Sequence, residues 1–389
     1  MKKTIRELKD IEGKRILLRC DFNVPLDNYG DILDASRIVA ALPTISYLLR
    51  KGAKLIICSH LGRPKGYDKY LSLFPVAVFL MKYFPNRVKF CNKVVGVEAE
   101  RSAAQLQKGE ILVLENLRFD EGEESNDPVF VQKLAKLADI YVNDAFGVAH
   151  RKHASTYGVA LKMPAAIGFL IEKELKTFEN AFKGTKHPFV AIFGGAKVSD
   201  KLDLIKNIMD KADTIIIGGG MAYTFLQAKG INIGDSIVAH DKIDDAQEIM
   251  RLAKEKGIKI LLPIDHVAYI KEKDKVVKTQ LLERGMTAFD IGKKTIALFS
   301  NAIKTAKQVV WNGPVGKYED PRFKKGTMKI AKAIAKSDAY SIIGGGDSVS
   351  AINSSGLSRY IDHLSTGGGA SLKLMEGKVL PAVEVIDTI

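Results

Sequence analysis

Short, near-continuous apolar runs recur along the chain, and residues at helical spacing fill the gaps between them. In the first half the runs are 15–19, 54–58, 111–114 and 140–142; in the second half they are 189–193, 214–217, 259–262, 308–311 and 341–343. Runs of this length and character fit strands buried on both faces of a parallel sheet. Between the first two, Ile38, Leu42, Ile45, Leu48 and Leu49 trace one helical face, with Ser36 as the expected N-cap and Gly52 as the expected stop. A second helix is expected from Asp200 to Met209, apolar at Leu202, Ile205 and Ile208. Strand, helix, strand is therefore the repeating unit, and it predicts a doubly wound α/β fold with right-handed crossovers.

At 389 residues the chain exceeds what one hydrophobic core usually supports, so two domains are expected. No Pro- or Ser-rich linker marks a junction. The charged helical stretch 171–178 lies between the last run of the first half and the first run of the second, which puts the domains at 1–168 and 187–372, with 169–186 as a connecting helix and hinge. Basic residues near the N-terminus are followed by further charges before any apolar stretch of signal-peptide length, and no segment is long enough to span a bilayer. A cytoplasmic protein with no membrane partner is expected. Cys20, Cys58 and Cys91 are widely spaced and odd in number, which suggests reduced, buried thiols rather than disulfides or zinc ligands. His150 and His153 lack further metal-ligating neighbours and read as structural or solvated.

The net charge of +14 admits nucleic acid, an acidic membrane or a small anion as partner. The basic residues stand singly, many at the ends of apolar runs, with no polybasic tract and no arginine-and-aromatic tail. That distribution favours a small anionic ligand over nucleic acid.

Ligands of open α/β sheets bind beyond the carboxyl ends of the strands. In the first half those positions carry Asp21 and Asn23, His60 and Arg63, Arg118, and Asp144 with His150 and Arg151 beyond; Arg37 joins them from the first turn of a helix. Four guanidiniums on one rim suit a ligand with more than one phosphate or carboxylate, since each can fork onto such a group. A single arginine at a strand end is more often solvated or paired with a neighbouring acid, and Asp21 and Asn23 could equally cap backbone. In the second half the strand ends carry glycine: Gly194 and Gly195 followed by Lys197 and Lys201, Gly218 to Gly220, and Gly344, Gly345 and Gly346 followed by Asp347 and Ser348. Glycine lets backbone approach a ligand, and the N–H groups of the following helix favour an anion. Lys197 and Lys201 are expected one helical turn apart, facing the same anion. Asp347 could hold Mg2+, a cation that takes few carboxylates together with substrate phosphates. A tight turn or close helix packing is the ordinary reading of any one glycine. The Walker pattern, the dinucleotide fingerprint G-x-G-x-x-G and the protein-kinase signatures are all absent.

Taken in order, 19–26, 59–64, 115–119, 144–155, 194–201, 311–316, 344–348 and 365–372 resemble the phosphoglycerate kinase family, over about 16–385. The resemblance implies two Rossmann-like domains facing each other across a hinged cleft, with the tail 373–389 returning to the N-terminal domain, and a monomer. It implies reversible phosphoryl transfer from 1,3-bisphosphoglycerate to Mg-ADP. Asp21, Asn23, Arg37, His60, Arg63, Arg118 and Arg151 would bind the glycerate and its phosphate. Lys197, Lys201, Gly292, Asn312, Glu319 and Gly344, Gly345, Gly346, Asp347 and Ser348 would surround the nucleotide, with Glu319 at the ribose and Asp347 at the magnesium. Arg37, Lys197 and the N–H groups around Gly367 and Gly368 are the expected stabilisers of the transferring phosphoryl. The sequence departs from the family's habit at Cys20, Lys293 and Lys373, none of them an expected catalytic position. The competing enzyme reading is a dinucleotide-dependent oxidoreductase, which the fold class permits and the missing fingerprint disfavours.

Overall fold

A computed structural model describes residues 2–388. It divides into two compact units, Met1–Lys176 with Val379–Ile389 and Thr177–Lys378. The division falls inside the helix Phe169–Lys183, and the stretch 373–378 packs with the second unit rather than the first.

The first unit is built on β1 (Arg15–Arg19), β2 (Lys54–Cys58), β3 (Val88–Cys91), β4 (Ile111–Leu114), β5 (Ile140–Asn143) and β6 (Ala165–Ile167). These form one parallel sheet in the order β3-β4-β2-β1-β5-β6. Its inner strands are buried almost throughout, as their unbroken apolar runs require. One face packs on Ile38, Ile45, Leu48, Val76 and Leu80 from the helices Ser36–Arg50 and Phe74–Tyr83. Ser36 is the first helical residue rather than the cap, which is Ala35; the Ser36 N–H donates to Asp34 Oδ1 (2.8 Å). Gly52 ends the helix with φ +74°, a conformation that suits glycine.

The second unit carries β7 (Phe189–Phe193), β8 (Thr214–Ile217), β9 (Lys259–Leu261), β10 (His266–Ile270), β11 (Lys275–Thr279), β12 (Met286–Ile291), β13 (Gln308–Asn312), β14 (Tyr340–Gly344) and β15 (His363–Leu364). A parallel sheet runs β15-β14-β13-β7-β8-β9, and β11-β10-β12 form a separate antiparallel sheet. Trp311, fully buried, centres the core with Ile192, Phe299, Ile330 and Ile343. The helix expected from Asp200 is α-helical only over Leu202–Ile208, behind a 3-10 turn at Ser199–Lys201.

Both parallel sheets reverse their winding direction beside their first strand, at β1/β5 and at β7/β13. Such switch points open a crevice at the strand carboxyl ends, because successive connections leave in opposite directions. Among the described residues no helix is long and apolar enough to cross a membrane. Cys20, Cys58 and Cys91 are all buried and free, and burial pushes the thiol pKa of Cys20 and Cys58 up.

Candidate active site

In the first unit the loops beyond β1, β2 and β4 are bolted together by side-chain amides. Asn23 Oδ1 accepts from Gly62 N–H (2.9 Å), joining the first loop to the second. Asn116 accepts from the N–H groups of Leu61 and Arg118 (3.1 Å each) and donates Nδ2 to Leu61 O (2.7 Å) and Leu71 O (2.9 Å). Buried Glu115 fixes the next turn through Leu73 N–H (2.9 Å) and Ser72 Oγ (2.8 Å). Fully satisfied buried networks of this kind hold loops to one geometry.

On this platform sit the basic groups. Arg37 Nη1 donates to Asp21 Oδ2 (2.8 Å), so Asp21 orients the guanidinium while its remaining donors stay available. Arg118 is buried; it donates Nη1 to Gly62 O (2.5 Å), pairs Nη2 with Glu124 (2.9 Å) and leaves Nε without a partner. A buried donor left unpaired costs free energy that an incoming anion would recover. Arg151 is half-buried, with Nε 3.3 Å from His150 Nε2. Burial, with the charges of Arg19, Arg118, Arg37 and Arg151, holds the His60 imidazole well below the ordinary histidine range. Arg19 Nη2 lies 3.3 Å from His60 Nδ1, and Asp21, which holds Arg37, lies 3.9 Å from it. Arg63 is exposed on the loop beyond β2.

The sequence reading overlooked a layer beneath this rim. Arg19 at the end of β1 and Glu123 in the short helix Gly122–Ser125 are both fully buried, linked by Ser155 and 3.8 Å apart. His153 belongs to the same cluster, and burial with the nearby arginines lowers its pKa to about 4. His266 in the second unit, 3.1 Å from Tyr223 Oη, is likewise lowered by burial to about 4. A histidine kept neutral by the fold takes up its proton on unfolding, so stability is complete above pH 6.5 and falls as pH drops from there towards 4. Urea midpoints across that window are expected to decline with acid, and less steeply in His153→Gln.

In the second unit the β7 and β13 loops meet at the switch point. Gly194 N–H donates to Asn312 O (3.0 Å) and Gly195 N–H to Pro314 O (2.8 Å). Lys201 is buried, its ammonium turned onto the carbonyls of Gly194 and Asn312, whereas Lys197 is exposed. The two lysines thus differ in setting, because the 3-10 turn breaks the helical register that the sequence spacing assumed. Asn312 is buried with Nδ2 unpaired, close to Gly344 and Gly345. Gly345 (φ +90°) turns the chain from β14 into the helix Gly346–Ser354, and Ser348 Oγ in its first turn accepts from Gly313 N–H (2.8 Å).

These loops border a pocket of about 300 Å³ lined by Gly195, Ala196, Gly220, Ile237, Thr287, Phe289, Pro314, Lys317, Glu319 and Asp347, among others. Glu319 and Asp347 were expected in such a place. Ile237, Thr287 and Phe289 were not, since they come from the segment around β12 and from a loop, outside the strand-end pattern. Gly292 is outside that lining and caps the helix Lys293–Thr305, where an added Cβ would stand 2.3 Å from the Asp265 carboxylate. Gly368 (φ +45°) has open space about it, while Gly367 N–H is turned to Ser365 Oγ (3.3 Å). Lys373 pairs with Glu376 (2.9 Å).

The profile of the family Phosphoglycerate kinase matches residues 5–378. The chain belongs to the phosphoglycerate kinase family. It is 51% identical over 394 residues to a phosphoglycerate kinase of Clostridium botulinum (strain Okra / Type B1), covering 99% of this chain and 98% of that protein. With the phosphoglycerate kinase of Dictyoglomus turgidum it shares 52% identity over 393 residues, 99% of both chains. The solved phosphoglycerate kinase of Coxiella burnetii superposes with a TM-score of 0.86 at 38% identity, covering 99% of this chain and 98% of that one. The phosphoglycerate kinase of Pyrococcus horikoshii OT3 does so at 0.87 and 33%, covering 98% of both. Membership makes the chain a phosphotransferase with two parallel-sheet α/β domains, and the oxidoreductase reading has no support.

Proposed function

We propose that the protein transfers a phosphoryl group reversibly from 1,3-bisphosphoglycerate to Mg-ADP, giving 3-phosphoglycerate and Mg-ATP, a step of glycolysis and gluconeogenesis. The observation that carries the reading is the set of basic groups beyond the strand ends of one unit, Arg37 held by Asp21, Arg118 by Gly62 O and Arg151 beside His150, whose charges all act on His60. Such a cluster matches a small ligand bearing both carboxylate and phosphate. In this reading Asp21 aims Arg37, Asn23 holds the Gly62 loop, and His60, Arg63, Arg118 and Arg151 complete the phosphoglycerate site.

The nucleotide belongs in the pocket of the second unit, its phosphates against Lys197 and the Gly344–Ser348 turn and its ribose at Glu319. Lys201 and Asn312 act there chiefly by fixing the loops they bond. Two exposed carboxylates, Glu319 and Asp347, line that pocket, and among the described residues no group of three or more His, Cys, Asp or Glu could hold a metal alone. That donor set fits Mg2+, which binds through one or two carboxylates plus phosphate oxygens. When bound, the ion neutralises phosphate charge. Because the substrate carboxylate is already ionised at neutral pH, no general base is needed. The chain's own work is alignment and charge stabilisation by Arg37, Lys197 and the backbone around Gly367 and Gly368.

Direct transfer requires the reacting oxygens near contact and water excluded, so bending about 167–175 belongs to the proposal. Small-angle scattering is expected to show compaction with both substrates bound; an unchanged radius of gyration removes that part. Binding is tested by thermal shift. Mg-ADP at a hundred times its Kd stabilises by about 2.7 kcal/mol, a rise of several degrees, whereas NAD is expected to give none. Protection by NAD and none by ADP would overturn the assignment. The proposal extends to a cytoplasmic monomer with no nucleic-acid or membrane partner.

A further inference from the structure

Arg19 is an unusual guanidinium, fully buried at the end of β1 beneath the substrate rim. Its Nε donates to Ser155 Oγ (2.7 Å), its Nη1 to Cys20 O, and its Nη2 reaches His60 Nδ1 at 3.3 Å. Glu123, also fully buried, locks this arrangement from below. It lies 3.8 Å from Arg19 Nη2 and accepts both from Ser155 N–H (3.0 Å) and from Ser155 Oγ (2.6 Å).

An arginine can only donate hydrogen bonds. His60 Nδ1 must therefore be the bare, accepting nitrogen, and the single ring proton of the neutral imidazole must sit on Nε2. The other group near Nδ1, Asp21 Oδ1, is 3.9 Å away, too far to claim a proton from it, and the same carboxylate is already engaged by Arg37. A second proton on Nδ1 would point at the Arg19 guanidinium, inside a field that Arg37, Arg118 and Arg151 also make positive. We infer that Arg19 is a positioning residue that fixes His60 in its neutral Nε2–H tautomer, so that the histidine meets the substrate as a hydrogen-bond donor and never as a cation or a base. This rests on the reading of His60 as a phosphoglycerate-binding residue and specifies the partner there: an acceptor oxygen, carboxylate or hydroxyl. It also gives the buried Arg19 and Glu123 a purpose, since burying such a pair rarely gains stability by itself.

The test is the tautomer in the free enzyme. In protein labelled with 15N in its imidazoles, long-range proton–nitrogen spectra from pH 5 to 8 are expected to show His60 protonated on Nε2 only and not titrating; loss of that signal in His60→Gln assigns it. A proton on Nδ1, or a second proton gained in this range, overturns the inference. In Arg19→Met the tautomer is expected to become mixed. KM for 3-phosphoglycerate rises about tenfold and turns pH-dependent, while KM for ATP stays unchanged. Equal rises in both KM values with an unaltered His60 spectrum would mean a merely structural role and would also overturn it. If Arg19→Met does not fold, the wild-type spectrum decides alone. His60→Ala with an unchanged KM for 3-phosphoglycerate would instead refute the binding role of His60, whatever its tautomer.

Discussion

Arg37→Ala is expected to lower kcat by a factor of about 100 or more in a coupled assay, with KM for ATP little changed. The side chain is one-third exposed and spends only Nη1 on Asp21, leaving the rest of its donor fork for an anion whose charge grows or shifts during transfer. The substitution also strips a buried carboxylate of its partner, so part of any loss could come from a disturbed rim. Lys197→Ala removes that ambiguity: Lys197 is exposed and makes no ion pair among the described residues, so its loss should leave the melting temperature unchanged while turnover drops on a similar scale. Arg37→Lys should fall between, since it keeps the charge and loses the fork. Near-wild-type turnover in both alanine variants would remove these residues from the chemistry.

Glycine substitutions separate structure from ligand approach in the second unit. A Cβ at Gly194 would stand 2.1 Å from Pro314 O and 2.6 Å from Gly313 O, backbone atoms that can move only by opening the switch point. Gly194→Ala is therefore expected to cost several kcal/mol, seen as a large fall in melting temperature or loss of soluble protein. At Gly346 a Cβ meets nothing within 4 Å. Gly346→Ala should fold with an unchanged melting temperature, yet raise KM for ATP about tenfold or more, because the added methyl takes space left for phosphate. A Gly346→Ala enzyme with ordinary KM would return that glycine to the role of a simple turn.

Strands buried on both faces were readable because nothing interrupts the apolar runs at the centres of β1, β2, β4, β7 and β8. β3 lies at a sheet edge with only Cys91 buried, and β6 is three residues of Ala-Ala-Ile, too short to signal. The antiparallel sheet lacks runs of the buried parallel kind: β11 carries Lys275 and Lys278 and is largely exposed, and Thr287 and Asp290 interrupt β12. At the site, positions just past the strands were legible because the strand-end rule needs only the strand. Ile237 and Phe289 lie outside that rule, and only the folded chain brings them to Glu319 and Asp347. Lys201 was placed beside Lys197 by its spacing; the 3-10 turn and its bonds to Gly194 and Asn312 set it apart. The buried Arg19–Glu123 layer was hidden for a different reason. A charged residue at a strand end reads as exposed, and only tertiary structure reveals the carboxylate that lets it stay buried.

The central claim, phosphoryl transfer between the carboxylate of 3-phosphoglycerate and a nucleotide, is tested most directly by ATP consumption coupled to detection of 1,3-bisphosphoglycerate. With Mg2+, ATP and 3-phosphoglycerate, turnover of about 1–100 per second is expected, falling to background when any one of the three is omitted. ATP consumption that does not depend on 3-phosphoglycerate, or none at all by a folded protein, would contradict the account.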